Sequence, residues 1–388
     1  MDDEADGQET TSGAVAVPAV ESAVESAVES AVESAMAGAA VVGGRRRVAP
    51  SAHLAALATA CEELGVDEWD VYGRGGAVAR LEEELAALLG TEAAVLVPSG
   101  TMAQQAVLRA WCDRSGSRRV ALPDLSHLVV HEDDAVRVVQ GLQVEHLTTG
   151  RRTAVAADLR GLHDPASLGA ALVELPLRDA GCLLPSWEDL VALSEAAREL
   201  GVPLHGDGAR LWESLPALGR PAQDVVGLLD SVYVSFYKGL GASSGAAVAC
   251  SEELAEDVRL WRHRLGGTLY RLTPVALEAL VGLRDRMPLV PRMVEWARAV
   301  GDGLEARGLR VRPAPVQTTT FQVFADHPLA AARAGWAEVT AREGVALAWP
   351  WGPADVPGHV VTEVTAGEGV LDLAPDTAAG WLAETVGR

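Results

Sequence analysis

Lys238 is the only lysine among 388 residues, while the other 31 basic side chains are arginine. Ala, Gly, Val and Arg are all abundant, as biased codon usage would produce, so a retained lysine marks a position arginine does not fill. Arginine stays protonated, whereas a desolvated lysine loses its proton and attacks a carbonyl. Lys238 follows the apolar run Ser231–Phe236 and precedes Gly239-Leu-Gly241, so a strand delivers the amine to a glycine-flanked turn open to a ligand. A surface lysine after a strand is the bland alternative.

Asp207, in His205-Gly-Asp207-Gly-Ala-Arg210, sits at the end of another short apolar run. A carboxylate buried there needs a cationic partner, which a pyridinium nitrogen supplies as well as an arginine does. Arg210 offers the planar fork that suits a substrate carboxylate. A structural Asp–Arg pair accounts for both residues equally well. Pro98-Ser99-Gly100-Thr101 joins a strand to a helix start, where free N–H groups and hydroxyls can cradle a phosphate. Ser99 or Thr101 could equally be a plain N-cap. His127 could stack on an aromatic ring. His127 and His131 have i,i+4 spacing, but no third ligand or His-Glu-x-x-His pattern accompanies them, so no metal is expected.

The elements that position these residues alternate. Helical spacing covers Val78 to Leu89, a helix runs from Thr101 through Trp111, and others cover Trp187 to Leu200 and Glu252 to Arg264. Short apolar runs lie at 93–97, 119–122, 170–175, 202–205, 231–236 and 246–250. Buried strands alternating with helices imply a mostly parallel sheet covered on both faces. Residues 45–290 form this large domain, and 291–388 read as a smaller α+β C-terminal domain.

Residues 1–44 read as a disordered acidic tail. Ala-Val-Glu-Ser repeats four times from Ala19 to Ser34, and a four-residue period drifts around an isolated helix. Deleting 1–44 is therefore expected to leave fold, oligomer and activity intact. The formal net charge is −22, and nine acidic residues precede Arg45 with no basic one, so about −13 remains on the rest. Nucleic acid is an unsuitable partner for such a chain. No run of eighteen apolar residues suggests a membrane span. Cys61, Cys112, Cys182 and Cys250 are scattered, and no signal-peptide pattern opens the chain, which fits a reducing cytoplasm.

In order, several blocks resemble the threonine aldolase / beta-eliminating lyase family of pyridoxal-phosphate (PLP) enzymes. They are Asp70-Val-Tyr72-Gly73, Pro98-Ser-Gly-Thr-Met-Ala-Gln104, His127 with Glu132, His205-Gly-Asp207-Gly-Ala-Arg210, Lys238-Gly-Leu-Gly and Trp261-Arg-His-Arg-Leu-Gly266-Gly267. The resemblance implies an α/β fold of the PLP-dependent transferase type (fold type I). It implies that Lys238 forms the cofactor imine, Asp207 pairs with the ring nitrogen and His127 stacks on the ring. Ser99, Gly100 and Thr101 would hold the phosphate, and Arg210 the amino-acid carboxylate. Tyr72 would lie near the site at a subunit contact of a homodimer or homotetramer.

The implied reaction cleaves a β-hydroxy-α-amino acid to glycine and an aldehyde. β-Elimination, racemisation and a non-catalytic PLP-binding role are the alternatives. Four positions depart from the family pattern. Glu174-Leu-Pro-Leu-Arg178 replaces Glu-Asn-Thr-His-Asn, so Leu177 stands where a histidine handles the substrate hydroxyl. The opening Asp-Leu-Arg-Ser-Asp segment is missing, Tyr270 occupies a phosphate-arginine position, and no arginine falls near Thr362-Glu363-Val364.

Overall fold

The computed structural model describes residues 19–388, with side chains from residue 25 onward. Seven strands build the large sheet: β1 Ala93–Val97, β2 Arg119–Leu122, β3 Gln143–His146, β4 Ala170–Glu174, β5 Leu204–Gly208, β6 Ser231–Ser235 and β7 Ala246–Cys250. Their order is β1-β7-β6-β5-β4-β2-β3, and only β7 runs antiparallel to its neighbours. β1, β4, β5, β6 and β7 are buried along their whole length, which is why they read as short apolar runs without alternation. Edge strand β3, Gln-Val-Glu-His, is half-exposed and left no such signature. Helices Gly76–Leu89, Gly100–Ser115, Trp187–Leu200 and Glu252–Arg264 lie among those that cover the sheet.

A second sheet follows, with β8 Arg310–Arg312, β9 Thr320–Asp326, β10 Gly352–Pro353 and β11 His359–Thr365 in the order β8-β9-β11-β10. All its pairings are antiparallel. It has its own core around Phe321, Trp336 and Trp351. Helix Val290–Ala306 straddles the two cores: Val290 and Val294 belong to the large one, Met293 and Trp296 to the small one. No helix among the described residues is long and apolar enough to cross a membrane.

The disordered-tail expectation is corrected over residues 19–44; residues 1–18 lie outside the described residues. Ala19–Gly38 forms a helix packed along helix Leu329–Glu343. Val32, Ala35, Ala39 and Val41 are buried in the small core, with Val28 and Met36 half-buried beside them. The repeat drifts, but positions 28, 32, 35, 36 and 39 stay on one face for three turns. That suffices once the neighbouring helix presents Ala332, Trp336 and Ala337 to the same core. Val41–Val42 then pairs in parallel with Val345–Ala346. The small domain is therefore built from both ends of the chain.

Removing residues 1–44 should cost on the order of 3–6 kcal/mol, from losing the burial of Val32, Ala35, Ala39 and Val41 and exposing the small-domain surface they cover. Thermal and denaturant unfolding of the truncated protein check this. An unchanged melting temperature would show that the arm contributes nothing to the fold.

Candidate active site

The site gathers at the carboxyl ends of β4, β5 and β6, where the parallel sheet presents its loops. Register places Glu174 beside Asp207, and Asp207 beside Tyr233. Lys238 follows β6 in a turn closed by Phe236 N–H to the Gly245 carbonyl (3.1 Å) and Ala242 N–H to the Phe236 carbonyl (2.9 Å). Gly239 leaves room for the buried Glu213 carboxylate, into which any Cβ would collide. The Lys238 carbonyl accepts from Gly241 N–H (3.2 Å), whereas its side-chain amine has no hydrogen bond or ion pair among the described residues. Burial lowers its pKa, the Arg210 guanidinium lowers it further, and Asp207 and Glu174 oppose both. A neutral amine is the species that attacks a carbonyl.

Asp207 is buried, and its only side-chain hydrogen bond among the described residues is from Ala209 N–H (3.0 Å). Burial raises its pKa, while Lys238 pulls it down. Glu174 is pushed up to about 8, first by burial and then by Asp207. Two carboxyls this close and this deeply buried cannot both ionise, so the pair retains a proton between them. The Glu174 carboxylate accepts N–H bonds from His127 (3.0 Å) and Arg178 (3.1 Å), so it also fixes the start of the short helix His127–Val130.

His127 Nδ1 lies 3.5 Å from the buried Glu132 carboxylate, which Gln105 also contacts (3.3 Å). Its ring is 5.1 Å from that of His131. His131 Nε2 meets both Asp179 oxygens at 2.9 and 3.0 Å, and Arg178 bridges onward to Glu363 at 3.0 Å. His205 is structural: it lies buried between Ser231 (2.9 Å) and Gln104 (3.0 Å), and burial holds its pKa at about 3.

Ser99 caps the 16-residue helix Gly100–Ser115, accepting from Met102 N–H at 3.3 Å. Ser99 and Thr101 are exposed, and Gly100 is buried against the Tyr233 hydroxyl. The helix's first N–H groups and two hydroxyls thus face outward together. Arg210 and Glu213 line one small cavity with Lys238, the guanidinium 4.0 Å from the carboxylate. Tyr72 does not join them within this chain. It is exposed, edge-on to Tyr270 with centroids 5.3 Å apart, and lines a separate surface cleft with Arg74 and His263.

Sequence reasoning gave Glu174 no role, although it closes an apolar run just as Asp207 does; that signal was available. Arg45, which lines the Lys238 cavity, had none, because only the pairing of the arm brings it there. Among the described residues no three His, Cys, Asp or Glu gather as a metal site.

A buried carboxylate with one N–H partner, a free amine on the next strand's turn, an imidazole and a helix N-terminus together suit a group that is cationic at one end, aldehydic, and phosphorylated. PLP is such a group, and the residues present fit it.

In stability terms, Glu174's raised pKa means that the cofactor-free folded state binds an extra proton between about 4.5 and 8. Its contribution is present below pH 4.5 and lost as pH climbs through 8. Glu174→Gln should flatten that decline in unfolding measurements across the range. An unchanged slope would assign the titration to another group.

The chain matches the beta-eliminating lyase family over residues 30–327. Low-specificity L-threonine aldolase 1 of Arabidopsis thaliana is 33% identical over 267 residues, 66% of this chain and 74% of that protein. The crystal structure of a Listeria monocytogenes protein assigned as an L-allo-threonine aldolase superposes with a TM-score of 0.85 at 30% identity, covering 92% of this chain and 99% of that one. Serine palmitoyltransferase of Sphingomonas wittichii shares the fold at 18% identity, with a TM-score of 0.62 over 86% of this chain and 82% of its own. With residues 30–327 matched to its model and a threonine aldolase 33% identical over two thirds of its length, the chain belongs to the beta-eliminating lyase family, alongside the threonine aldolases.

Proposed function

We propose that the protein is a PLP-dependent carbon–carbon lyase of the threonine aldolase type, taking a β-hydroxy-α-amino acid to glycine and an aldehyde. The observation that carries this reading is Lys238: the sole lysine, its amine without a hydrogen bond or ion pair among the described residues, with a lowered pKa between Arg210 and the Asp207–Glu174 pair. When bound, PLP supplies the electron sink that accepts the pair released as the Cα–Cβ bond breaks.

The chain's own groups do the rest. Lys238 would hold the cofactor through its unprotonated amine. Asp207 would pair with the ring nitrogen and favour its protonated form. His127, fixed by Glu132 and by its backbone bond to Glu174, covers the ring. Ser99, Gly100 and Thr101 present donors to the phosphate at a helix N-terminus. Arg210 holds the amino-acid carboxylate. His131, with Nε2 donated to Asp179, keeps Nδ1 free to accept the β-hydroxyl proton.

Assembly follows from the surface. Val71, Tyr72 and Leu260 are exposed along one cleft beside Arg74, Arg259 and Glu256, with Tyr270 packed on Tyr72, a mixed apolar and charged surface suited to a second copy of the chain. A homodimer built there would give Tyr72 a role at the subunit contact.

Lys238→Arg should abolish both borohydride fixation of the cofactor and turnover, because guanidinium cannot act as an amine nucleophile. Peptide mapping of the reduced parent protein should find the cofactor on Lys238. Active protein with an unmodified Lys238 would overturn the assignment.

A further inference from the structure

The cavity beside Lys238 has a second basic wall. Arg45 lines it together with Arg210, Glu213, Glu368 and Thr319. The N-terminal arm places it: Val41–Val42 pairs with Val345–Ala346, the chain turns at Gly43 and Gly44 (φ +53° and +75°), and Arg45–Arg46 returns antiparallel. A Cβ at Gly44 would collide with the backbone of 365–367, so the turn is pressed onto the small domain. Gly369 N–H to the Gly44 carbonyl (2.8 Å) and Arg47 N–H to the Ala40 carbonyl (2.7 Å) pin it further.

Charge around the cavity is uneven. Arg286 takes Glu368 at 3.5 Å, and Arg210 faces Glu213 at 4.0 Å. Arg45 is half-buried and, among the described residues, has no hydrogen bond and no carboxylate within 4.0 Å. Arg210 Nε is buried without a partner as well. Two guanidinium groups with unused donors therefore face one enclosed space next to the reactive amine. A cation withdrawn from water in this way is stabilised by an anion that fills the space.

We propose that Arg45 is a second ligand for the α-carboxylate of the substrate, acting with Arg210; this rests on the amino-acid lyase reading above. Two guanidinium groups fix the carboxylate's plane as well as its position, and so the direction of the Cα–Cβ bond relative to the cofactor. The arm thereby becomes part of the substrate site.

The test compares the full-length, cofactor-loaded parent with Arg45→Ala, Arg45→Lys and Arg210→Ala. Each is titrated with glycine and with glycinamide, which keeps the amine but lacks the carboxylate, and cofactor absorbance is followed. Cofactor affinity and melting temperature are measured alongside. Arg45→Ala should weaken glycine binding roughly ten- to a hundredfold while leaving glycinamide and cofactor affinity unchanged. Arg45→Lys should show a smaller, equally selective loss, and it remains readable if the alanine variant does not fold. Unchanged glycine binding overturns the proposal, as does an equal loss for glycine and glycinamide, which would make Arg45 a strut of the arm. A parent protein that responds to neither compound would instead sink the lyase reading, and this proposal with it.

Discussion

Glu174 and Asp207 end adjacent parallel strands side by side, in an interior where two bare negative charges cannot coexist. Everything at the site answers that constraint. Glu174 takes a proton up to about pH 8 and accepts N–H bonds from His127 and Arg178. Burial pushes Asp207 up as well, and Lys238, on the turn after the next strand, pulls the other way. In turn Lys238 is squeezed between burial and Arg210 on one side and the carboxylate pair on the other. The sheet register, rather than any single loop, sets this balance, because shifting β5 by one residue would turn Asp207 to the other face.

Desolvation of the amine also requires the small domain. Thr319, Thr365 and Gly367 close the cavity from that side, and the arm closes it at Gly43 and Arg45. Polar links hold the two bodies in register. Arg178 reaches Glu363 at 3.0 Å, and Arg151 reaches Gln322 at 2.9 Å while its carbonyl accepts from Arg312 at 3.1 Å. The large domain supplies the reactive groups, and the small domain supplies the low-dielectric lid that makes them reactive.

This division explains what could be read from the sequence. The large sheet was legible because its strands are buried on both faces and its helices carry clear periodicity. Lys238 and Asp207 were legible because each is a charged residue ending an apolar run. The arm was not. Its repeat lacks a lasting face when treated as an isolated helix, and its stability comes from a groove on helix Leu329–Glu343, three hundred residues downstream. Arg45 and Glu213 were hidden for the same reason: their importance lies in which distant backbone they meet, and neither spacing nor residue type encodes that.

Leu177, at the position where the family resemblance implies a histidine, fits the same logic. It is buried, and it pairs with Leu183 through two backbone bonds of 2.9 and 3.1 Å, which close a tight turn. A polar imidazole at that position would need buried hydrogen-bond partners, as His205 has in Ser231 and Gln104. The turn instead raises Arg178 and Asp179 to its rim, where Asp179 grips His131 and Arg178 anchors to Glu363. On the proposed reading, proton handling has moved from the position of Leu177 to an imidazole one turn beyond the ring-covering His127. The carboxylate that orients it, Asp179, sits in the turn that Leu177 closes. Replacing one residue in that segment alone would then restore neither arrangement, since a base and its orienting carboxylate work as a unit.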